Sequence, residues 1–128
     1  MKTIYTLALL LMTLTSYAQN YVGQSLRHVK NTMDSKGYII EEGWENNIYY
    51  VQAKDVDDYK LYLFTNNNIC FMYITTNSNY TYDIITYALR KANYWQITQY
   101  EFTDGEYDAK ISEDNGKWYI KISYHISE

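Results

Sequence analysis

The chain has 128 residues, 47% of them hydrophobic, and eleven basic against fifteen acidic side chains give it a net charge of −4. That length suits one domain with one modest core. The acidic balance, with lysines and arginines scattered along the chain, excludes a nucleic-acid surface built on a basic stripe, and a single cysteine excludes an internal disulfide, so packing alone must hold the fold.

In chain order, the first signal is a leader. Lys2 provides a short positive region, residues 4–14 (IYTLALLLMTL) an apolar run, and Ser16 and Ala18 small side chains before a cut, which predicts a secretory signal peptide over residues 1–18 and a working chain starting at Gln19. The apolar run falls short of the roughly 20 residues of a spanning helix. No later segment reaches that length, and no cysteine lies near the cut, the only one being Cys70, so a lipid anchor there is not expected. The ending SYAQ, with the length and the Asn/Tyr-rich composition, resembles small uncharacterised secreted and periplasmic proteins of the Bacteroidetes. The resemblance implies export, to the periplasm or the exterior, and transfers no binding residue. Residues 19–128 are expected to form a single domain.

Ser25 is the expected N-cap of a first helix whose apolar stripe is Leu26, Val29 and Met33, anchored at its start by Val22 and stopped at Gly37. From Tyr38 the period becomes two. YIIEE reads as a strand, GWENN as a polar turn, and NIYYVQAK as a strand with Tyr49, Val51 and Ala53 on one face and Ile48, Tyr50, Gln52 and Lys54 on the other. After the acidic turn DVDD, YKLYLFT and ICFMYITT are apolar on both faces. Leu61 and Leu63 oppose Tyr62 and Phe64, and Phe71 and Tyr73 oppose Cys70, Met72 and Ile74. With NNN as their turn, they predict a central hairpin with something packed on at least one face.

TYDIITYALRKANY predicts the second helix. Thr81 caps it, Asp83 sits in its first turn, Ile84, Ile85, Ala88, Leu89 and Ala92 form its buried face, and Asn93 ends it. YWQITQYEF then reads as one strand. TDGE predicts a type I′ turn on Asp104–Gly105, and YDAKI puts Tyr107, Ala109 and Ile111 together. A turn on Asn115–Gly116 leads to WYIKISYHI, with Trp118, Ile120, Ile122, Tyr124 and Ile126 inward and Tyr119, Lys121, Ser123 and His125 outward. The fold class expected is α+β: an antiparallel sheet of five to seven strands with two helices on one face, in the order α-β-β-β-(β)-α-β-β-β. The halves share a helix-then-strands order, without residues that match well enough to claim a repeat.

Chemistry-bearing residues are sparse. Cys70 lies among apolar neighbours and reads as core; His28 reads as a helix-surface residue and His125 as the polar face of the last strand. The three share no zinc spacing, and no phosphate loop or nucleophile elbow is present. The carboxylates Asp55, Asp57 and Asp58, and Asp104, Glu106 and Asp108, read as turn residues rather than a calcium loop. Glu41, Glu42, Glu45 and Glu101 are available for a glycosidase pair, but no spacing selects two of them. No metal or cofactor is expected. The unusual feature is seventeen tyrosines and three tryptophans. Tyr50, Tyr62, Tyr100 and Tyr119, with Trp44, are the candidates for one shared partner-binding face, since their apolar bodies and polar tips suit interfaces. The expected function is therefore a non-catalytic exported protein- or peptide-interaction module. A carbohydrate-binding or glycan-processing role would use the same rings, and a small hydrolase would need His125 or Cys70 in a pocket. Neither nucleic acid nor a membrane span after leader removal is expected.

Overall fold

The computed structural model describes residues 21–125. The expected leader, the start at Gln19 and the inward Ile126 lie outside these residues. Helix α1 spans Leu26–Ser35 and helix α2 Tyr82–Lys91. Each starts as its sequence dictates: Ser25 Oγ accepts the His28 N–H at 3.1 Å, and Thr81 Oγ1 accepts the Ile84 N–H at 3.2 Å. Each ends on a left-handed residue, Gly37 (φ 81°) and Asn93 (φ 67°). The tyrosine that follows bonds back to the helix, Tyr38 N–H to the Met33 carbonyl and Tyr94 N–H to the Leu89 carbonyl. The buried faces are Val29 and Met33 in α1, and Ile85, Ala88 and Leu89 in α2.

Among the described residues eight strands form one sheet: β1 (Ile39–Glu45), β2 (Ile48–Lys54), β3 (Asp58–Phe64), β4 (Cys70–Asn77), β5 (Trp95–Thr98), β6 (Glu101–Thr103), β7 (Tyr107–Asp114) and β8 (Lys117–Tyr124). Their order is β1-β2-β3-β4-β8-β7-β6-β5, every neighbouring pair is antiparallel, and both helices lie on one face. The α+β class and element order agree with the sequence, with one strand more than the five to seven expected. YWQITQYEF is two strands, because the chain reverses at Gln99–Tyr100 and pairs Thr98 with Glu101. That turn has no Gly, Asn, Asp or Pro and no left-handed residue, so it carries none of the usual turn signals.

Three local expectations are corrected. Gly43 and Trp44 lie in β1, not in a turn; the reversal is at Asn46 (φ 52°) and Asn47 (φ 66°), whose paired left-handed geometry is that of a type I′ hairpin. In the β6–β7 turn Gly105 is left-handed and Asp104 is not; Asp104 Oδ1 instead accepts the Glu106 and Tyr107 N–H groups. A bulge pairs Leu63 with Met72 but Phe64 with Cys70, so Cys70 and Tyr73 share the helix side rather than opposing each other.

The register lines up one row across the sheet: Val51, Tyr62, Tyr73, Ile122, Ala109 and Phe102. All six have zero exposure, so this row is the floor on which the helices sit. The chain is also arranged twice. Each half is a helix followed by a four-strand meander, each helix runs from hydroxyl cap to left-handed stop over the same spacing, and the last strands of the halves, β4 and β8, pair at the centre.

The core is built on tyrosine. Tyr62 and Tyr73 stack at 5.7 Å, and Tyr21 packs tilted on Tyr62 at 5.4 Å and edge-on to Tyr73 at 6.0 Å. Tyr62 donates its hydroxyl to Met33 Sδ at 3.4 Å. The buried Tyr73 and Tyr94 hydroxyls have no hydrogen-bond partner among the described residues, and an unmade bond of this kind costs about 1–3 kcal/mol. Tyr73→Phe therefore keeps or raises the stability, by about 1 kcal/mol, whereas Tyr73→Ala lowers it by about 3–5 kcal/mol through the cavity left behind; urea unfolding of the two variants measures both.

Lys60 is 1% exposed on the helix side and donates to Thr75 Oγ1 at 3.0 Å. Burial pulls its ammonium down to about 8, a shift that Asp58 opposes and Lys36 reinforces. Between about 8 and the ordinary 10.5 the unfolded chain holds a proton that the folded chain has released, so folding gains stability as pH rises through that window. The stability difference between Lys60→Met and the natural protein therefore shifts in favour of the natural protein by about 3 kcal/mol between pH 7 and pH 10.5. Urea unfolding at the two pH values checks this, and the titration of Tyr73 and Tyr94, common to both proteins, cancels.

Candidate binding face

Because side chains alternate along a strand, a sheet roofed by helices on one side exposes on the other the odd-numbered set of β1 and β3 and the even-numbered set of β2. Two rows define that open face. One runs Glu41, Gln52, Leu61, Ile74, Lys121, Lys110 and Glu101; its neighbour runs Gly43, Tyr50, Leu63, Met72, Ser123 and Asp108. A third places Lys54, Tyr59, Thr76 and Tyr119 side by side. Leu61, Leu63, Met72 and Ile74 thus form an apolar centre flanked by Tyr50, Tyr59 and Tyr119. The β7–β8 side is polar, with Lys110 directly opposite Lys121 and Glu101 beyond. The side chains of the centre are half-buried by one another, and among the described residues no helix covers them.

Two hollows open on this face. The larger, about 370 Å³, has Tyr59 and Tyr119 on either side of Thr76, the Asp55–Asp58 turn as its lip, and Lys54 and Lys117 at its mouth. The smaller, about 240 Å³, is lined by Ile48, Tyr50, Gln52, Leu61 and Leu63 with Glu45 and Asn46. Tyr50 lies across Gly43 on the neighbouring strand: its hydroxyl is 3.3 Å from where a Cβ would stand, an aromatic ring covering an edge glycine. Burial raises the Tyr59 phenol above its ordinary value, and the neighbouring Tyr119, Glu41 and Tyr50 raise it further, which reflects how closely these groups gather.

Of the five residues proposed from sequence, Tyr50 and Tyr119 share the open face and the other three do not. Tyr62 has zero exposure beneath the helices, because register pairs it with Val51 and Tyr73 rather than with the outward set. Trp44, 67% exposed, lies on the helix side at the sheet edge, its ring edge-on to Tyr49 at 5.2 Å. Tyr100 sits in the β5–β6 turn, edge-on to Tyr82 of α2 at 5.8 Å. Sequence reasoning missed Tyr59, which joins Tyr50 and Tyr119. Its two-residue spacing from Leu61 and Leu63 was the available signal, and it pointed outward only once the covered face was known.

The residues considered for catalysis are dispersed. Cys70 is fully buried, and burial pushes its thiol up to about 12, which removes the thiolate that reactivity needs. His28 is exposed on α1. His125 meets Asp108 at 2.8 Å through Nδ1, and no hydroxyl bonds to its ring among the described residues. Glu41 and Glu101 stand at opposite ends of one row, six strand spacings or about 29 Å apart. Glycosidase pairs stand about 5–9.5 Å apart. Glu42 lies on the helix side, 3.0 Å from Lys30, which holds its carboxyl below the ordinary value. Glu45 shares β1 with Glu41, about 13 Å along the strand.

Three of the turn carboxylates accept hydrogen bonds. Asp55 accepts the Val56 N–H, Asp58 accepts the Tyr38 hydroxyl and the Asn77 amide, and Asp104 closes its own turn. Among the described residues no group of three His, Cys, Asp or Glu side chains is placed to hold a metal ion, and no helix is long and apolar enough to cross a membrane. Comparison with protein-family models, with curated proteins and with solved structures finds no match to this chain.

Proposed function

We propose that this chain is an exported, non-catalytic module that binds another envelope or secreted protein, or a peptide, through the open face of its sheet. The observation that carries this reading is the uncovered apolar centre, Leu61, Leu63, Met72 and Ile74, ringed by Tyr50, Tyr59 and Tyr119 on the central strands. An apolar middle, an aromatic flank and a polar margin of Glu41, Lys110, Lys121 and Glu101 make up the composition of a protein-binding patch. The leader expected over residues 1–18 supports export and a partner in the envelope or beyond it.

A carbohydrate reading draws on a specific feature, the 370 Å³ hollow with Tyr59 and Tyr119 flanking Thr76 and with polar groups on its lip. Such a hollow is large enough for a sugar ring held between aromatic walls and polar hydrogen-bonding groups.

The two readings separate in one set of measurements. The natural protein is compared with a Tyr50→Ala, Tyr59→Ala, Tyr119→Ala variant, checked by circular dichroism to remain folded. Both are used to capture partners from solubilised envelope of the host and to probe a glycan array. Protein binding predicts one partner retained by the natural chain and weakened about 30-fold or more in the variant, the loss of about 2 kcal/mol or more typical of central interface aromatics. Equal capture by both proteins, with array binding that disappears in the variant, overturns it in favour of the carbohydrate.

A further inference from the structure

The two edges of the sheet are treated differently. β5 is four residues long and carries a register shift between Gln96 and Thr98, two devices that blunt an edge against pairing. β1 at the other edge has seven residues, no proline and an unbroken register against β2 from Ile39 to Glu45. The two-residue Asn46–Asn47 loop makes Glu45 and Ile48 the closing pair, which exchanges both backbone bonds. Counting back along the ladder, Ile39, Glu41, Gly43 and Glu45 bond inward to β2, and Ile40, Glu42 and Trp44 turn their N–H and C=O groups outward. No strand of the described residues pairs with that edge. Ile39 is 73% and Trp44 67% exposed.

The side chains specify what can pair there. A second copy is disfavoured in every central antiparallel register: centring on Glu42 sets Glu42 against itself, centring on Glu41 sets Glu41 against itself, and centring on Gly43 sets Glu41 against Glu45. Like charges directly opposite one another destabilise a strand pair. The same charges invite a basic strand. Glu41 and Glu45 point to the open face with no ion pair among the described residues, whereas Glu42, on the helix side between Ile40 and Trp44, is already matched by Lys30.

We infer that β1 is a docking edge for an extended, basic segment of a partner protein, which adds a ninth strand and alternates basic residues over Glu41 and Glu45 with apolar residues against Ile40 and Trp44. Binding at this edge does not depend on the tyrosine face.

The test is a titration of the ¹⁵N-labelled protein with an acetylated Lys-Val-Lys-Val-Lys-Val peptide, with Glu-Val-Glu-Val-Glu-Val as its counterpart, followed by NMR and hydrogen exchange. The inference expects shifts centred on β1 and at least tenfold slower exchange of the Ile40, Glu42 and Trp44 amides. It expects the basic peptide to bind at least tenfold more tightly than the acidic one. Glu42→Pro removes an outward N–H that β2 does not use and abolishes the binding. Glu41→Lys with Glu45→Lys reverses the peptide preference and keeps the inference testable should the proline variant fail to fold. Shifts confined to Tyr50, Tyr59 and Tyr119, equal binding of the two peptides, no binding, or protection of the three amides before any peptide is added would each overturn it. The last of these, with concentration-dependent sedimentation, would identify a second copy as the occupant.

Discussion

The fold depends on the β4–β8 ladder. Each half of the chain is a helix and a four-strand meander, and a meander of this size with one short helix has little core of its own. Pairing Met72 with Ser123 through Thr76 with Tyr119 joins the halves into one sheet and makes Tyr73 and Ile122 neighbours at its middle. The fully buried row from Val51 to Phe102 runs straight through that junction. A slip of one residue would set Tyr73 against Lys121 or Ser123 and turn the inward set of one half to the open face, so the register is held by the burial it creates.

The price of this core is its chemistry. Tyrosine fills the wide space between sheet and helices with rigid rings, but each ring brings a hydroxyl. Tyr62 places its own on Met33 sulfur, Tyr38 on Asp58 and Tyr82 on the Gln99 carbonyl. Tyr73 and Tyr94 do not find a partner among the described residues, and Lys60 adds a buried amine whose proton is held weakly. These groups make the helix side of the sheet polar at several points yet fully packed, which is why aromatic content alone does not separate core from surface in this chain. Aromatic residues serve both: Tyr62 and Tyr59 are three positions apart on one strand and lie on opposite sides of the sheet.

One-sided cover has functional consequences. With both described helices on the same face, the central strands carry apolar side chains on the other face that none of the described helices covers, and the rings of Tyr50, Tyr59 and Tyr119 border that surface. Gly43 and Tyr50 also link face and edge, since the ring that covers the glycine is part of the open face while the glycine belongs to β1. The face offers side chains and the edge offers backbone bonds. The first suits a contoured partner or a sugar, and the second an extended segment of complementary charge.

Local structure was legible in the sequence. Ser25 and Thr81 as caps, Gly37 and Asn93 as stops, the two helix stripes, and the faces of β2, β7 and β8 all follow from interactions within a few residues, where the sequence period states the geometry directly. Tyr50 and Tyr119 were legible as candidates for the same reason. What only the tertiary structure decided is non-local. The bulge at Phe64 and Cys70 depends on two strands meeting, the reversal at Gln99–Tyr100 uses residues with no turn preference, and the β4–β8 pairing joins segments almost fifty residues apart. In β3 both faces are apolar, so alternation separates Tyr59, Leu61 and Leu63 from Tyr62 and Phe64 but does not state which set the helices cover. That choice was made by packing, and it sent Tyr62 to the core and Tyr59 to the open face.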